Sequence, residues 1–167
     1  MITAINDKSN DYKYREAYVS DAEAIHSLMK DAFVDYANKK ENEEEVINSA
    51  LQEKIKDVRK DLENNIVLVL CDGKKIIASL RLEKISEKRY LLKRFAVSPV
   101  YQNQGLGTML FERAVDKLEQ INAHYVQLYS SLEKKKLISF YKGLGFNCLK
   151  TDHSKGYERG LWVKTIK

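Results

Sequence analysis

The chain has 167 residues, of which 44% are hydrophobic and 32% are charged, and its formal net charge is +5. This length and composition are typical of one soluble globular domain, residues 1–167. The longest strongly apolar run, Ile66–Cys71, is far shorter than the roughly 20 residues that a membrane-spanning helix requires. The N-terminal segment is polar and lacks the apolar core of a signal peptide, so we expect a cytoplasmic protein without membrane association.

The hydrophobic pattern predicts helices and strands in the order β-α-α-β-β-β-α-β-α-β-β. In chain order they are a strand at Tyr12–Tyr18, a helix from Ser20 through Tyr36, a helix at about Glu43–Leu62, strands at Ile66–Cys71, Lys75–Leu82 and Tyr90–Val97, a helix at Gly105–Ile121, a strand at Tyr125–Tyr129, a helix at Leu132–Leu144, and strands at Phe146–Lys150 and Gly160–Ile166. This order predicts an α/β fold, of the α+β mixed-sheet kind, with helices on both faces of the sheet.

The segment Leu91–Phe111 combines a strand, a glycine-containing loop and an amphipathic helix. Gly105 and Gly107 let the backbone pass close to another group, and the helix start offers unpaired N–H groups and a positive dipole end. Together these features predict an anion site that a pyrophosphate would fit. The dinucleotide fingerprint requires a third glycine where the chain has Leu110, and a Walker loop requires a lysine where it has Thr108, so both are excluded.

The charges are divided unevenly along the chain. Residues 1–63 carry 10 basic and 15 acidic side chains, whereas residues 64–167 carry 19 basic and 9 acidic ones. The second region should therefore attract a polyanion, either nucleic acid or a phosphorylated cofactor. We find no nucleic-acid recognition motif, and the anion site explains the same asymmetry, so we expect a cofactor and no nucleic acid. Three histidines and two cysteines show no metal-ligand spacing, so no metal site is expected.

Two motifs resemble those of the GNAT superfamily of N-acetyltransferases. Val97-Ser98-Pro99 followed by Gln102–Gly107 resembles the family's motif A, in which Gln or Arg, two residues, Gly, any residue, and Gly or Ala follow a strand ending in Val-x-Pro. Phe140–Phe146 resembles motif B, with its aromatic-Tyr pair and its Gly-Phe ending. The order of predicted elements also matches that fold, so the resemblance covers nearly the whole chain.

The resemblance implies that the co-substrate is acetyl-CoA. In such enzymes the strand before motif A carries a bulge and splays from the next strand, and its backbone pairs with the pantetheine amides. The corresponding residues here are Phe95, Ala96 and Val97. The backbone amides that would cradle the pyrophosphate are those of Gln102, Asn103, Gln104, Gly105, Leu106, Gly107 and Thr108.

Motif B supplies the catalytic candidate Tyr141, because acetyl transfer expels a thiolate that needs a proton or a hydrogen bond. The alternative is that the Tyr141 ring only packs in the core beside Phe140. Many relatives carry an asparagine seven residues before this tyrosine, where the chain has Lys134. Ser130 and Ser131, at the end of the fifth predicted strand, are the candidates for polar contacts with the cofactor in place of that asparagine. Lys134, Lys135 and Lys136 could meet the 3′-phosphate of the cofactor, and the alternative interpretation of these lysines is a solvated basic face.

A general base must take the proton from the acceptor amine before attack. Many relatives place a carboxylate on the central strand, where this chain has Lys93 and Arg94. Glu83, at the end of the preceding strand, is the substitute candidate for taking the proton from the acceptor amine. The alternative interpretation of Glu83 is a surface charge at a strand end.

The acceptor cleft of this fold is usually formed by the first two helices and the last hairpin. Here these segments contain Glu41–Glu45, Tyr157, Glu158 and Trp162, a set that favours a small cationic amine. The alternative interpretation of the glutamates is a helix start exposed to water. Two alternatives stay open: acetylation of a protein N-terminus or lysine, and a non-catalytic acetyl-CoA-binding sensor module. The use of other acyl-CoAs also stays open. Relatives are often dimers, so a homodimer is compatible with the resemblance, although no residue indicates an interface.

Overall fold

The computed structural model of the protein describes residues 11–38 and 49–167. Its strands are β1 Tyr12–Glu16, β2 Ile66–Asp72, β3 Lys75–Ser86, β4 Arg89–Val97, β5 Tyr125–Ser131, β6 Asn147–Asp152 and β7 Arg159–Thr165. Its helices are α1 Ala22–Asn38, α2 Ser49–Gln52, α3 Ile55–Asn64, α4 Leu106–Gln120 and α5 Lys135–Gly143. In the described residues no helix is long and apolar enough to cross a membrane.

The strands form one mixed sheet in the order β1-β2-β3-β4-β5-β7-β6. Only β4 and β5 run parallel among the described pairs, because α4 crosses over between them; the other neighbours are antiparallel. One core lies between the sheet and α4, with Leu110, Phe111 and Trp162 among its buried members. A second core lies under α1 and α3 and contains Ile25 and Val58. The predicted mixed sheet with helices on both faces is therefore confirmed.

The second predicted helix, Glu43–Leu62, is wrong as one continuous element. Residues 43–48 lie outside the described residues, and the remainder is divided into α2 and α3. The break lies before Ile55, because Lys54 is extended (φ −101°, ψ 160°) and its backbone N–H donates to the Asp57 carboxylate over 2.9 Å. This bond, from the backbone of the residue before the helix to the side chain of its third residue, belongs to a capping box and marks the start of a separate helix.

The central strand β4 contains a bulge. Lys93 pairs with Arg81 and Ala96 pairs with Ser79, so two β4 residues, Arg94 and Phe95, lie opposite a single residue of β3. Arg94 adopts a left-handed conformation with φ +52°. A bulge of this kind turns the following residues relative to the rest of the strand.

The parallel strands β4 and β5 pair over a short stretch only. Their register joins Arg89–Leu91 to Tyr125–Gln127, while the strands continue to Val97 and Ser131. Beyond Leu91, in the described part of the chain, β4 has no pairing with β5, so a gap opens between their C-terminal halves. Both the bulge and the gap match what the sequence resemblance implies.

Candidate cofactor-binding and acetyl-transfer site

The loop between β4 and α4 is fixed by side chains of its own sequence. A single 3₁₀ turn at Pro99–Tyr101 follows β4, and the Tyr101 hydroxyl donates to the Asp72 carboxylate over 2.7 Å. This bond to a carboxylate raises the pKa of the Tyr101 hydroxyl above its ordinary value. The Gln102 amide donates to the Val97 carbonyl over 3.1 Å. Gln102 therefore closes the loop with its side chain, whereas motif A predicts a role only for its backbone.

The two motif glycines do different things. Gly105 has φ +76°, and a Cβ built on it would have no neighbour within 4 Å among the described residues. Gly107 has an ordinary helical backbone, but a Cβ there would lie 3.3 Å from Cζ of Phe140 and 3.5 Å from Val97. Gly105 therefore provides a left-handed turn next to open space, and Gly107 allows α4 to approach α5 and β4 closely.

The start of α4 offers backbone donors to this open space. The first helical bond runs from Met109 N–H to the Gly105 carbonyl at 3.0 Å, so the N–H groups of Leu106, Gly107 and Thr108 precede the repeating pattern. No acidic residue lies in the first turn of α4, and the positive end of the helix dipole is therefore not neutralised there. This arrangement suits an anion such as a pyrophosphate.

The C-terminal ends of β4 and β5 meet at the same edge of the sheet as the glycine loop, because the two strands are parallel. The structure thus brings Phe95–Val97, the loop and Ser131 around one gap. Ser131 ends β5, and its hydroxyl accepts the Glu133 N–H over 3.2 Å. Lys134 directly precedes α5 and so lies on the same side of the gap as Ser131.

Tyr141 lies on α5 within a cluster of aromatic rings. Its ring is half-buried, with centroids 5.5 Å from Phe140 and 6.0 Å from Phe146. Phe140 in turn lies 5.9 Å from Phe95 of β4. The Phe146 N–H donates to the Tyr141 backbone carbonyl over 3.1 Å, which fixes the end of α5. The packing interpretation and the catalytic interpretation are compatible, because the ring is only half-buried and the cluster links it through Phe140 to Phe95 of β4.

Glu83, on β3, lies opposite the β4 residue that directly precedes the gap. It pairs in register with Leu91, the last β4 residue that pairs with β5. Its side chain is 42% exposed and lies 3.6 Å from the Lys93 ammonium. The structure therefore brings Glu83 to the border of the gap on β3, with a cation beside it.

A buried ion network, which the sequence did not predict, joins β3 and β4 to α3 and to the residue Glu53 before it. Arg81 is fully buried and contacts Glu53 with both terminal nitrogens, at 2.6 and 2.8 Å, and Asp61 at 2.9 Å. Asp61 also lies 3.3 Å from Lys93, and Glu53 lies 3.4 Å from Arg94. One signal was available: Arg81 interrupts the apolar run of β3, and a charge in a buried strand requires opposite charges around it.

The network shifts the pKa values of Asp61 and Arg81. Burial of Asp61 opposes the charged form, but the bond from Arg81 and the charge of Lys93 outweigh it, so the pKa of Asp61 lies below its ordinary value. Burial likewise opposes the charge of Arg81, and the bonds from Glu53 and Asp61 outweigh this effect and raise the pKa of Arg81. Both shifts favour the charged forms of Asp61 and Arg81, and the two cations on β4 lie beside carboxylates of opposite charge.

The predicted acceptor cleft is only partly retained. Glu41–Glu45 lie outside the described residues. Trp162 was expected to contribute to the cleft and does not, because it is 2% exposed and packs in the core on the α4 side of the sheet. Tyr157 is half-buried and Glu158 is exposed, and both precede β7.

Beside the gap, β5 and β7 present an exposed aromatic ring under a cation. The Arg159 guanidinium lies 4.4 Å from the ring centroid of Tyr129, which is 43% exposed. Arg159 also donates to Asp152 over 2.9 Å. This bond, together with bonds from Ser154, lowers the pKa of Asp152 to about 2. Among the described residues there is no group of three or more His, Cys, Asp or Glu side chains that could hold a metal ion.

The chain matches the acetyltransferase (GNAT) family over residues 22–146. Over 71 residues it is 32% identical to the ribosomal protein bS18 alanine N-acetyltransferase of Escherichia coli K12, which covers 42% of this chain and 48% of that protein. It is 31% identical over 71 residues to an uncharacterized N-acetyltransferase of Methanocaldococcus jannaschii, which covers 42% of this chain and 28% of that protein. The match thus spans about half, or less, of the length of these curated relatives.

Solved structures share the whole fold. The PaiA N-acetyltransferase of Thermoplasma acidophilum, in complex with coenzyme A, has a TM-score of 0.79 at 20% identity, covering 92% of this chain and 98% of that one. The ribosomal-protein-S18-alanine N-acetyltransferase of Escherichia coli has a TM-score of 0.69 at 19% identity, covering 93% and 94%. The chain belongs to the acetyltransferase (GNAT) family. Acetyl-CoA is the co-substrate of this class of N-acetyltransferase, as the sequence resemblance implies.

Proposed function

We propose that the protein transfers the acetyl group of acetyl-CoA to a primary amine by direct attack of the amine on the thioester. The observation that carries the proposal is the gap between β4 and β5, which lies at the same sheet edge as the left-handed Gly105 loop and the start of α4. The gap offers unpaired strand edges for amide groups, and the loop offers backbone donors for phosphates. A pantetheine arm joined to a pyrophosphate has both kinds of group in this order.

The proposed binding roles follow the geometry. Phe95, Ala96 and Val97 present the backbone of β4 to the pantetheine arm, and Ser131 and Lys134 approach from the β5 side. The pyrophosphate is held by the backbone amides from Gln102 through Thr108. Gly105 keeps these amides directed into open space, and Gln102 keeps the loop closed onto the end of β4.

In the proposed reaction the neutral amine nitrogen attacks the thioester carbon, the C–N bond forms and the C–S bond then breaks. The nitrogen loses its second proton as the amide forms, and this proton passes through water to the Tyr141 oxygen or to the thiolate, so that the products are the amide and the free CoA thiol. The thiolate leaves as the Tyr141 hydroxyl donates a proton or a hydrogen bond to it. The proton that the amine loses before attack passes to Glu83, directly or through water, since an amine that keeps its extra proton has no lone pair for attack. The Glu83 carboxylate, 42% exposed and 3.6 Å from the Lys93 ammonium, is accessible to solvent at the border of the gap.

Two chemical classes of amine are candidates for the acceptor. A small cationic amine was favoured by the acidic residues that the structure does not describe and by Trp162, which is buried. The similarity to a ribosomal protein bS18 alanine N-acetyltransferase now favours the second candidate, the α-amine of a protein N-terminus. Neutral peptide N-termini and polyamines are therefore the two acceptor classes to compare directly.

The test is the release of free CoA thiol from acetyl-CoA by the purified protein. The acceptor panel holds polyamines, aminoglycosides, amino acids, and short peptides whose N-termini or lysines are separately blocked. Amine-dependent thiol release supports the proposal and identifies the acceptor class. Saturable acetyl-CoA binding with no release from any acceptor would contradict it and would favour the acetyl-CoA-binding sensor module. A cytoplasmic location, a homodimer and the absence of nucleic-acid partners stay predictions.

The role of Glu83 has its own test. Glu83→Gln is expected to lower kcat about fivefold at neutral pH. The loss should shrink at alkaline pH, because a larger fraction of the acceptor amine is then already deprotonated. The measurement is kcat across pH for the wild type and the variant. Glu63→Gln, which changes an exposed carboxylate on α3, is the matched control. A profile for Glu83→Gln that is parallel to that of the wild type would remove Glu83 from the mechanism.

A further inference from the structure

The bulge in β4 depends on a residue in a disfavoured conformation. Arg94 has φ +52°, a left-handed backbone that a residue with a Cβ adopts rarely. Arg94 comes directly before Phe95–Val97, the backbone segment proposed to meet the pantetheine arm. Such a conformation persists only where surrounding contacts impose it, so the contacts of Arg94 determine how that segment is presented.

Glu53 is in a position to impose it. The residue lies between α2 and α3, and its side chain is only 6% exposed. One carboxylate oxygen lies 3.4 Å from Nε of Arg94, and the same oxygen accepts from Nη1 of Arg81 over 2.6 Å. The other oxygen accepts from Nη2 of Arg81 over 2.8 Å. A single carboxylate therefore ties the bulge to a fully buried cation on β3.

The backbone of Glu53 is fixed from a further element. Nε2 of His26, on α1, lies 2.8 Å from the Glu53 carbonyl oxygen, and a carbonyl can only accept, so His26 is the donor. Asp61 of α3 binds Arg81 as well and also contacts Lys93, the residue before the bulge. Glu53 is thus held from α1 and β3 before it contacts β4, which makes it a rigid anchor.

We infer that Glu53 is a positioning residue that holds Arg94 in the left-handed bulge and thereby sets the backbone of Phe95–Val97 toward the cofactor gap. This inference rests on the proposed function, because the gap is the proposed pantetheine site. It also assigns a role to Arg94, which with Lys93 stands where many relatives of this family place a carboxylate on the central strand. Through its contact with Glu53, the Arg94 side chain stabilises the bulge in β4.

The first test separates the conformation of residue 94 from its side chain. Arg94→Ala removes the contact with Glu53 but keeps a Cβ, and it leaves the buried Arg81–Glu53 pair intact. Arg94→Gly also removes the contact, but glycine adopts φ +52° without an anchor. Arg94→Ala is expected to weaken acetyl-CoA binding about fivefold in calorimetric titration, and Arg94→Gly is expected to stay within about twofold of the wild type. Equal affinities for the two variants would overturn the inference.

The second test acts on Glu53 itself. Glu53→Gln is expected to raise the KM for acetyl-CoA about fivefold with a change in kcat below about twofold, since the chemistry is untouched. Adding Arg94→Gly to Glu53→Gln should restore the KM, which a general loss of stability would not allow. Glu63→Gln, on the exposed face of α3, should leave KM unchanged.

The outcomes are distinct. An unchanged KM in Glu53→Gln, or no restoration by Arg94→Gly, contradicts the positioning role while the proposed function stands. If the wild type itself fails to bind acetyl-CoA, the proposed function fails and the inference fails with it. If Glu53→Gln does not fold, as thermal unfolding would reveal, the comparison of Arg94→Ala with Arg94→Gly still decides the question.

Discussion

Tyr141→Phe is expected to lower kcat by about tenfold or more, while the Kd for acetyl-CoA changes by less than about twofold. The reason is that phenylalanine keeps the ring contacts with Phe140 and Phe146 but has no hydroxyl. The departing thiolate then receives neither a proton nor a hydrogen bond, whereas the cofactor site keeps its shape. The measurement is steady-state kinetics with the acceptor identified in the thiol-release assay, together with calorimetric titration of acetyl-CoA.

The matched control for this variant is Tyr125→Phe. Tyr125 begins β5 in the stretch that pairs with β4, outside the gap, and its ring lies under the Arg89 guanidinium at 5.0 Å. Its hydroxyl has no proposed part in the reaction, so its loss should leave kcat unchanged. A Tyr141→Phe enzyme with wild-type kcat would show that the tyrosine only packs, and the source of the proton would have to be sought elsewhere.

Gly105→Val is expected to weaken acetyl-CoA binding by about tenfold or more, with a smaller effect on kcat at saturating acetyl-CoA. A β-branched side chain strongly disfavours the φ of +76° found at this position, so the loop must adopt another conformation. The backbone N–H groups at the start of α4 would then no longer converge on one anion. Calorimetric titration with acetyl-CoA measures the effect without reference to the acceptor.

Gly156→Val separates this effect from backbone strain in general. Gly156 lies between β6 and β7, has φ +81°, and likewise has no described neighbour within 4 Å of a built Cβ. The substitution introduces comparable local strain at a turn outside the proposed cofactor site. Its Kd for acetyl-CoA should stay within about twofold of the wild type. Equal weakening in both variants would show that strain, and not the geometry of the anion site, determines affinity.

The central strands could be predicted closely from the sequence. The apolar run of β2, the Asp72-Gly73 turn and the apolar run of β3 describe an antiparallel hairpin without any knowledge of the rest of the chain. The predicted strand Tyr90–Val97 differs from β4 by one residue at its start. These elements are local: each is specified by side-chain alternation and by turn residues within a few positions.

The break before α3 could not be predicted in this way. The apolar stripe from Ile47 to Leu62 is continuous at helical spacing, and periodicity therefore predicts one helix. The break arises because Asp57 caps a new helix start and because Glu53 is drawn to Arg81. The second cause joins residues 28 positions apart, and no local pattern reports such a contact.

In the candidate site, too, features that depend on local sequence could be predicted, whereas features that depend on distant contacts could not. The glycine loop and Tyr141 belong to short motifs that the sequence shows directly, and in the structure the loop follows β4 while Tyr141 is linked to β4 through the Phe140 ring. Trp162 was assigned to the acceptor cleft because it lies in the last hairpin, but alternation along β7 directs it into the core. Glu53 and Asp61 were missed because neither belongs to a motif, although buried Arg81 required partners of their charge.

The gap between β4 and β5 also bears on which positions of this protein can vary. Within it, polar groups of the main chain that a neighbouring strand would ordinarily satisfy must bond to water or to the amides of a bound molecule. Recognition of this kind depends on the spacing of peptide units and hardly at all on residue type. The side chains of the same segment can therefore contribute to packing. The ring of Phe95, for example, stacks on Phe111 in the core. Substitution along this edge should be limited by packing, while affinity follows the path of the backbone.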